Sequence, residues 1–192
     1  MRRLSPPSAA HGFSLVEVLV ALIIVSVGLL GIAKMQALLI ADSGVSRVRA
    51  LVALEASSLA ASMHANRDYW AGIAAPVSVT VDPASTPAVS ASGDATLSTG
   101  ISAAVADPQA CESTVVTYCT PANMAGYDLV QWEMAMKSLL PSSTTQVNCQ
   151  NANLQVYCTV TIDWTENIAN ANAQEQGSAA LQNQSYQLVV SP

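Results

Sequence analysis

The chain lacks most of what a soluble enzyme or a nucleic-acid binder relies on. Charged residues make up only 10% of the 192 positions, and no basic cluster is interleaved with aromatics. With a formal charge of −6 as well, direct nucleic-acid contact is not expected. The single Phe is Phe13, so a folded core must draw on Leu, Val, Ile, Met, the three Trp and some of the Tyr. His is confined to His11 and His64, and no G-x-S-x-G motif marks a nucleophile, so no catalytic residue and no cofactor site is expected. His64 reads as a solvated helix residue. No C-x-x-C spacing occurs, which argues against a metal site. Asp163 and Glu166 beside Trp164 read as a polar strand end rather than an acid–base pair. A carbohydrate-binding role through Trp132 and Trp164 conflicts with their place on faces expected to be buried.

Proline is missing between Pro7 and Pro76, and this absence permits a long helix. Residues 12–34 read GFSLVEVLVALIIVSVGLLGIAK, with one acid, Glu17, and no other charge before Lys34. About 20 apolar residues at ~1.5 Å each cross ~30 Å of hydrocarbon. A carboxylate at the start of such a segment needs headgroup depth or a partner. Beyond Lys34 an apolar stripe continues through Leu38, Val45, Val48, Val52, Leu59 and Met63. One continuous helix over about 14–66 is therefore expected, its first half apolar all round and its second half amphipathic.

Ahead of this segment stands a short polar leader, MRRLSPPSAAHG, with Arg2 and Arg3 as its cytoplasmic end. The run Gly12, Phe13, Ser14, Leu15, Val16, Glu17 resembles the cleavage and methylation motif of type IV prepilins and pseudopilins. The resemblance implies cleavage between Gly12 and Phe13 by a membrane-embedded prepilin peptidase, then N-methylation of Phe13. It also implies that Glu17 pairs with the amino terminus of a neighbouring subunit during assembly, where a charge pair in apolar surroundings acts as a register device. Loss of Arg2 and Arg3 would shift the formal charge from −6 to −8. Many family members carry a proline near the middle of the span. Here Lys34 occupies that place, with Gly28 and Gly31 nearby. A conventional signal-peptidase site at Gly31, Ile32, Ala33 is the competing reading, and Glu17 between the arginines and the apolar core argues against it.

The remainder is expected to be a disulfide-stapled domain outside the cytoplasm. Cys111, Cys119, Cys149 and Cys158 all follow the anchor, and the arginines place that side in an oxidising compartment. Three pairings are possible; the two local ones, each closing a short loop, are expected. Residues 72–107, rich in Ala, Ser, Thr, Val, Pro and Gly, read either as an extended connection laid across the sheet with one short strand at 77–81 or as a plain disordered linker; the pilin resemblance implies that this is the variable, surface-forming loop. Asp128 and Gln131 suggest a capping box for a short helix with Leu129, Trp132, Met136, Leu139 and Leu140 on one face, stopped by Pro141. Residues 154–164 alternate as a half-buried strand, and 186–190 read as another.

The D-L-x-x-W helix ending in L-P, the V-T-x-x-W strand and the anchor wording G-L-L-G-I-A-K-M-Q resemble the PilV-type minor pilins, or type IV pilus modification proteins. That likeness covers the first third of the chain and residues 128–164. It implies an α+β pilin-like lollipop: a long amino-terminal helix packed on a small antiparallel sheet. The organisation would be a leader at 1–12, a transmembrane and assembly half-helix at 13–33, a protruding half-helix at 34–71 and a periplasmic domain at 72–192. Implied partners are prepilin peptidase, other minor pilins, major pilin and the inner-membrane assembly platform. The implied location is the inner membrane, then the pilus on the cell surface. A minor pseudopilin of a type II secretion system shares the leader and helix, and a signal-anchored periplasmic binding domain is a third reading.

Overall fold

The computed structural model describes residues 14–109, 111, 119–153, 155–168 and 180–192, with only the backbone described at 37, 38, 41, 42, 167, 168 and 180. Helix α1 runs without interruption over Leu15–Ala65, 51 residues. It contributes to two compact units, Met1–Ser43 and Gly44–Pro192. In the first unit every side chain described from residue 14 to 36 is exposed. Gly28 and Gly31 leave the helix unbroken, and neither has another part of the chain against it.

The second unit is an α+β fold. After the end of α1 come a single turn α2 (Arg67–Trp70), strands β1 (Val77–Val81) and β2 (Val89–Ser92), helices α3 (Ala95–Ala106) and α4 (Pro121–Leu139), and strands β3 (Thr144–Ala152), β4 (Gln155–Ile168) and β5 (Ala180–Val190). The strands form one five-stranded sheet in the order β2-β1-β3-β4-β5, antiparallel throughout. Val52, Ala56, Leu59 and Met63 of α1 are fully buried, at spacings of four, three and four, with Val48 packed beside them. They share one core with Leu129, Trp132 and Met136 of α4 and with the inward face of the sheet, Val79, Val147, Val160 and Ile162. Each Val, Leu, Ile or Met side chain among them contributes about 1.5–3 kcal/mol by leaving water.

Two expectations are corrected here. Residues 72–107 are not a loop: β1 lies at the expected 77–81, and β2 and the twelve-residue helix α3 follow it. The compositional signal misleads because Ala, Ser and Thr fit a helix once it has a cap and a surface to pack on. Asp94 supplies the cap, its Oδ1 accepting from the backbone N–H of Thr96 at 2.8 Å and of Leu97 at 3.2 Å. Gly100 of α3 supplies the packing surface: a Cβ there would stand 2.7 Å from the Ala122 carbonyl oxygen of α4. Gly126 of α4 is set against the Gly100–Ile101 peptide in the same way. Side chains are absent on both helices where these backbones come together.

Helix α4 likewise does not start at Asp128. Thr120 is its N-cap, accepting from Asn123 N–H at 3.2 Å, and Pro121 is pre-set for the first helical position. Asp128 and Gln131 are therefore interior positions. Of the expected apolar face, Leu129, Trp132 and Met136 are buried, while Leu139 is 40% exposed at the end of the helix.

Candidate functional site

The amino-terminal segment is the candidate site, and its geometry follows from three local properties. First, Leu15–Gln36 is 22 residues long with a mean hydropathy of 2.8, about 33 Å at 1.5 Å per residue. By length and composition it is able to cross a membrane. Second, its apolar side chains face outward all round: Leu15 is 80% exposed and Leu30 73%. Such a helix needs lipid or other helices around it. Third, Glu17 sits in the first turn, where Glu17 N–H and Val18 N–H both donate to the Ser14 carbonyl. The positive end of the helix dipole favours a carboxylate there. Glu17 is exposed, so its charge is presented outward from the helix start. Gly12 and Phe13, the expected cleavage and methylation positions, lie outside the described residues.

Residues 7–33 match the family model of the prokaryotic N-terminal methylation motif. The chain carries a prepilin-type signal. The match takes in the leader's end, the Gly12–Phe13 junction, Glu17 and nearly all of the apolar run. A prepilin signal implies processing by a prepilin peptidase and association with the membrane, and it supports the pilin and pseudopilin class as a whole. It does not distinguish a PilV type within that class. No curated protein and no solved structure matches the chain.

In the carboxy-terminal unit the sequence-expected residues fall into two groups. The cysteines form Cys111–Cys119 and Cys149–Cys158, the two local pairs. Cys149 and Cys158 are direct cross-strand partners of β3 and β4, with Cα atoms 3.9 Å apart, and both side chains are buried. Among the described residues no group of three His, Cys, Asp or Glu side chains gathers as a metal site. His64 is exposed in the last turn of α1.

The expectation for Glu166 is corrected. Read with Asp163 as a polar strand end, it is instead a buried carboxylate with 3% of its side chain exposed, whereas Asp163 is exposed. Arg49 of α1 donates to it through both Nε and a terminal nitrogen, the shortest contact being 2.9 Å, and Trp164 Nε1 donates to Oε1 at 2.9 Å. The Arg49 hydrogen bonds, followed by the Trp164 bond, hold the Glu166 carboxyl below its ordinary range against the opposing effect of burial. Arg49 lies off the apolar stripe of α1, and no local pattern in the sequence signals its pairing with a residue 117 positions away. Trp132 is fixed in a related way, its Nε1 donating to the Glu55 carbonyl of α1 at 2.9 Å. Both indoles are 6% exposed and spend their N–H groups inside the protein, so neither is a free stacking platform.

One open cleft, about 650 Å³, runs beside α2 and the starts of α3 and α4, lined by Asp68, Tyr69, Ile73, Asp94 and Thr120 among others. Its polar floor is internally satisfied: Tyr69 Oη donates to Asp94 Oδ2 at 3.0 Å. Burial and then this bond raise the Tyr69 pKa; at Asp94 burial pushes the pKa up, but hydrogen bonds from Thr96, Tyr69 and Leu97 together outweigh it and lower the pKa. The pair is thus a neutral phenol on a charged carboxylate. It acts as a clamp between α2 and the α3 cap, with the Thr96 hydroxyl also donating to Asp94, to Oδ1 at 2.6 Å.

Proposed function

We infer that the chain is a minor pilin of a type IV pilus, of the PilV type, which helps to initiate the filament or to form its tip complex. The observation that carries this reading is an outward-facing apolar helix that starts at Leu15, with Glu17 in its first turn, directly behind a Gly12–Phe13 prepilin junction. Prepilin peptidase cuts after Gly12 and methylates Phe13. The anchored subunit then waits in the inner membrane with its disulfide-stapled domain in the periplasm, until it joins other minor pilins and major pilin at the assembly platform. Glu17 meets the amine of a neighbouring subunit, and the pair sets the axial register because an unpaired charge in apolar surroundings is costly. Adhesion and twitching motility depend on the subunit through the filament. The chain works through surfaces and is not an enzyme.

A minor pseudopilin of a type II secretion system is the second reading, because the same prepilin signal serves both. A signal-anchored periplasmic binding domain is the third. Intact mass and amino-terminal sequence, from membranes of cells with and without prepilin peptidase, test the class. A mature chain starting at N-methylated Phe13 only when the peptidase is present supports it, and a chain starting at Lys34 or an unprocessed Met1 in both strains overturns it. Gene deletion then separates the first two readings, by loss of surface pili and twitching or by loss of exoprotein secretion.

A further inference from the structure

The outward face of the sheet is built almost entirely of neutral hydrogen-bonding side chains. The strand registers place Ser90, Thr80, Gln146, Thr161 and Gln187 in one row across all five strands. The next row is Ser92, Ser78, Asn148 and Thr159, ending in Val189 at the β5 edge. Neighbouring groups stand about 4.8 Å apart between strands and about 6.8 Å apart along them. An outward sheet face is commonly solvated. On this face, within the described strands, Asp163 is the one charged side chain.

Asp163 does not stand on a flat surface. It lies in an open cleft of about 370 Å³ with Ser142, Thr144, Thr165, Asn183 and Ser185. Thr144, Asp163 and Ser185 are cross-strand partners, and Thr165 pairs with Asn183 in the adjacent row. Toward the other end of β4, Tyr157 is 38% exposed, with its hydroxyl donating to Gln150 Oε1 at 3.0 Å. Ser78 Oγ donates to Asn148 Oδ1 at 2.7 Å, so part of the grid is already ordered.

We propose that this face recognises a neutral polysaccharide, laid across the Ser/Thr/Asn/Gln grid and held in the Asp163 cleft at one end. Hydroxyl and amide groups both donate and accept, as do the hydroxyls of a sugar chain, so the match does not depend on one fixed pattern of protons. A carboxylate accepting from sugar hydroxyls adds the stronger, charge-assisted contacts, and Tyr157 offers a ring surface to the C–H side of a sugar. The alternatives fit less well. Nucleic acids and acidic polymers meet no Lys or Arg here and a net charge of −6, and a hydrophobic protein partner finds no contiguous apolar patch on the grid. The inference goes beyond filament membership and does not rest on it.

The test uses the full chain in phosphocholine-headgroup micelles, which bring no competing sugar, titrated calorimetrically with cellohexaose, chitohexaose and mannohexaose and with polygalacturonate as the charged control. Saturable binding of at least one neutral hexasaccharide is expected, weakened about tenfold by Thr161→Lys and by Asp163→Asn and unchanged by Ser102→Glu on the exposed side of α3. Gln187→Lys, on the exposed edge strand, replaces Thr161→Lys if that variant fails to fold. The proposal is overturned by no saturable binding of any neutral probe up to about 10 mM, by tighter binding of polygalacturonate, or by binding that the grid and cleft variants leave unchanged. Loss of a self-association in Thr161→Lys with glycan binding intact would equally overturn it, since the face would then be a contact between copies.

Discussion

Arg49 and Glu166 stand 117 positions apart in the sequence and meet at 2.9 Å, an arginine from the amino-terminal helix closing on a buried carboxylate of β4. Trp164, two residues before Glu166 on the same face of the strand, donates to the same carboxylate. The pair fixes the rotation and register of the second part of α1 against the sheet, which generic burial of Val52, Leu59 and Met63 would leave less sharply defined. Because half of the Arg49 side chain reaches water, its contribution is smaller than that of a fully buried pair.

Arg49→Met should therefore cost about 1–3 kcal/mol, mostly by leaving Glu166 buried without its cation. Arg49→Met with Glu166→Gln should recover part of that loss. The sign of the pH effect follows from the depressed carboxyl pKa: the stabilisation is present above the unfolded-state value and lost as pH falls through the folded one. Urea unfolding of both variants at pH 7 and pH 3, followed by Trp fluorescence, measures this. Equal stability of Arg49→Met and the parent at pH 7 would refute it.

Asp128 behaves in the opposite sense. Burial on α4 pushes its pKa from 3.8 to about 6, so the folded protein loses stability as pH rises from near 4 through 6. Asp128→Asn should stabilise the domain at pH 7.5 by about 1–2 kcal/mol after allowance for its partial exposure. The advantage should vanish below pH ~4, where the carboxyl is protonated in both states. Thermal melts across that range are the measurement.

Gly126→Ala should be among the more damaging small substitutions in the chain. The added methyl would meet the Gly100–Ile101 peptide, with the nitrogen of Ile101 at 2.5 Å, and neither helix backbone can yield without parting α3 from α4. A cost of about 1–3 kcal/mol is expected despite the higher helix propensity of Ala. Amide exchange should show α3 losing protection first.

Removal of the cross-strand disulfide by Cys149→Ala with Cys158→Ala should lower stability by about 2–3 kcal/mol, the loop-closure term for a short loop. The β3–β4 register should survive, since ladder pairs flank the bridge on both sides. Backbone amide shifts of Val147 and Val160 report whether it does.

Glu17→Gln should leave cleavage and N-methylation of Phe13 intact, because the amide keeps the size of the side chain, yet it should reduce recovery of the subunit in sheared pili severalfold. Immunoblots of membrane and filament fractions compare the two. Normal incorporation would remove the register role proposed for Glu17.

Features that depend on near neighbours are legible in the sequence. The Gly12–Phe13 junction with Glu17 is a contiguous motif, and the apolar span and uninterrupted α1 follow from hydropathy and the absence of proline. The alternation that makes β4 is equally local, because side-chain direction in a strand repeats every two residues. The local cysteine pairs were legible as the shortest loops among three pairings. The other features depend on residues brought together from far along the chain. Residues 95–106 are helical because Gly100 and Gly126 let α3 lie against α4. Glu166 is a buried anchor because Arg49 reaches it across the core. The neutral grid exists because four antiparallel registers align Ser, Thr, Asn and Gln from five separated strands. Periodicity and composition describe a segment in its own frame; a partner's charge, a closely approaching backbone or a cross-strand register is a property of the pair.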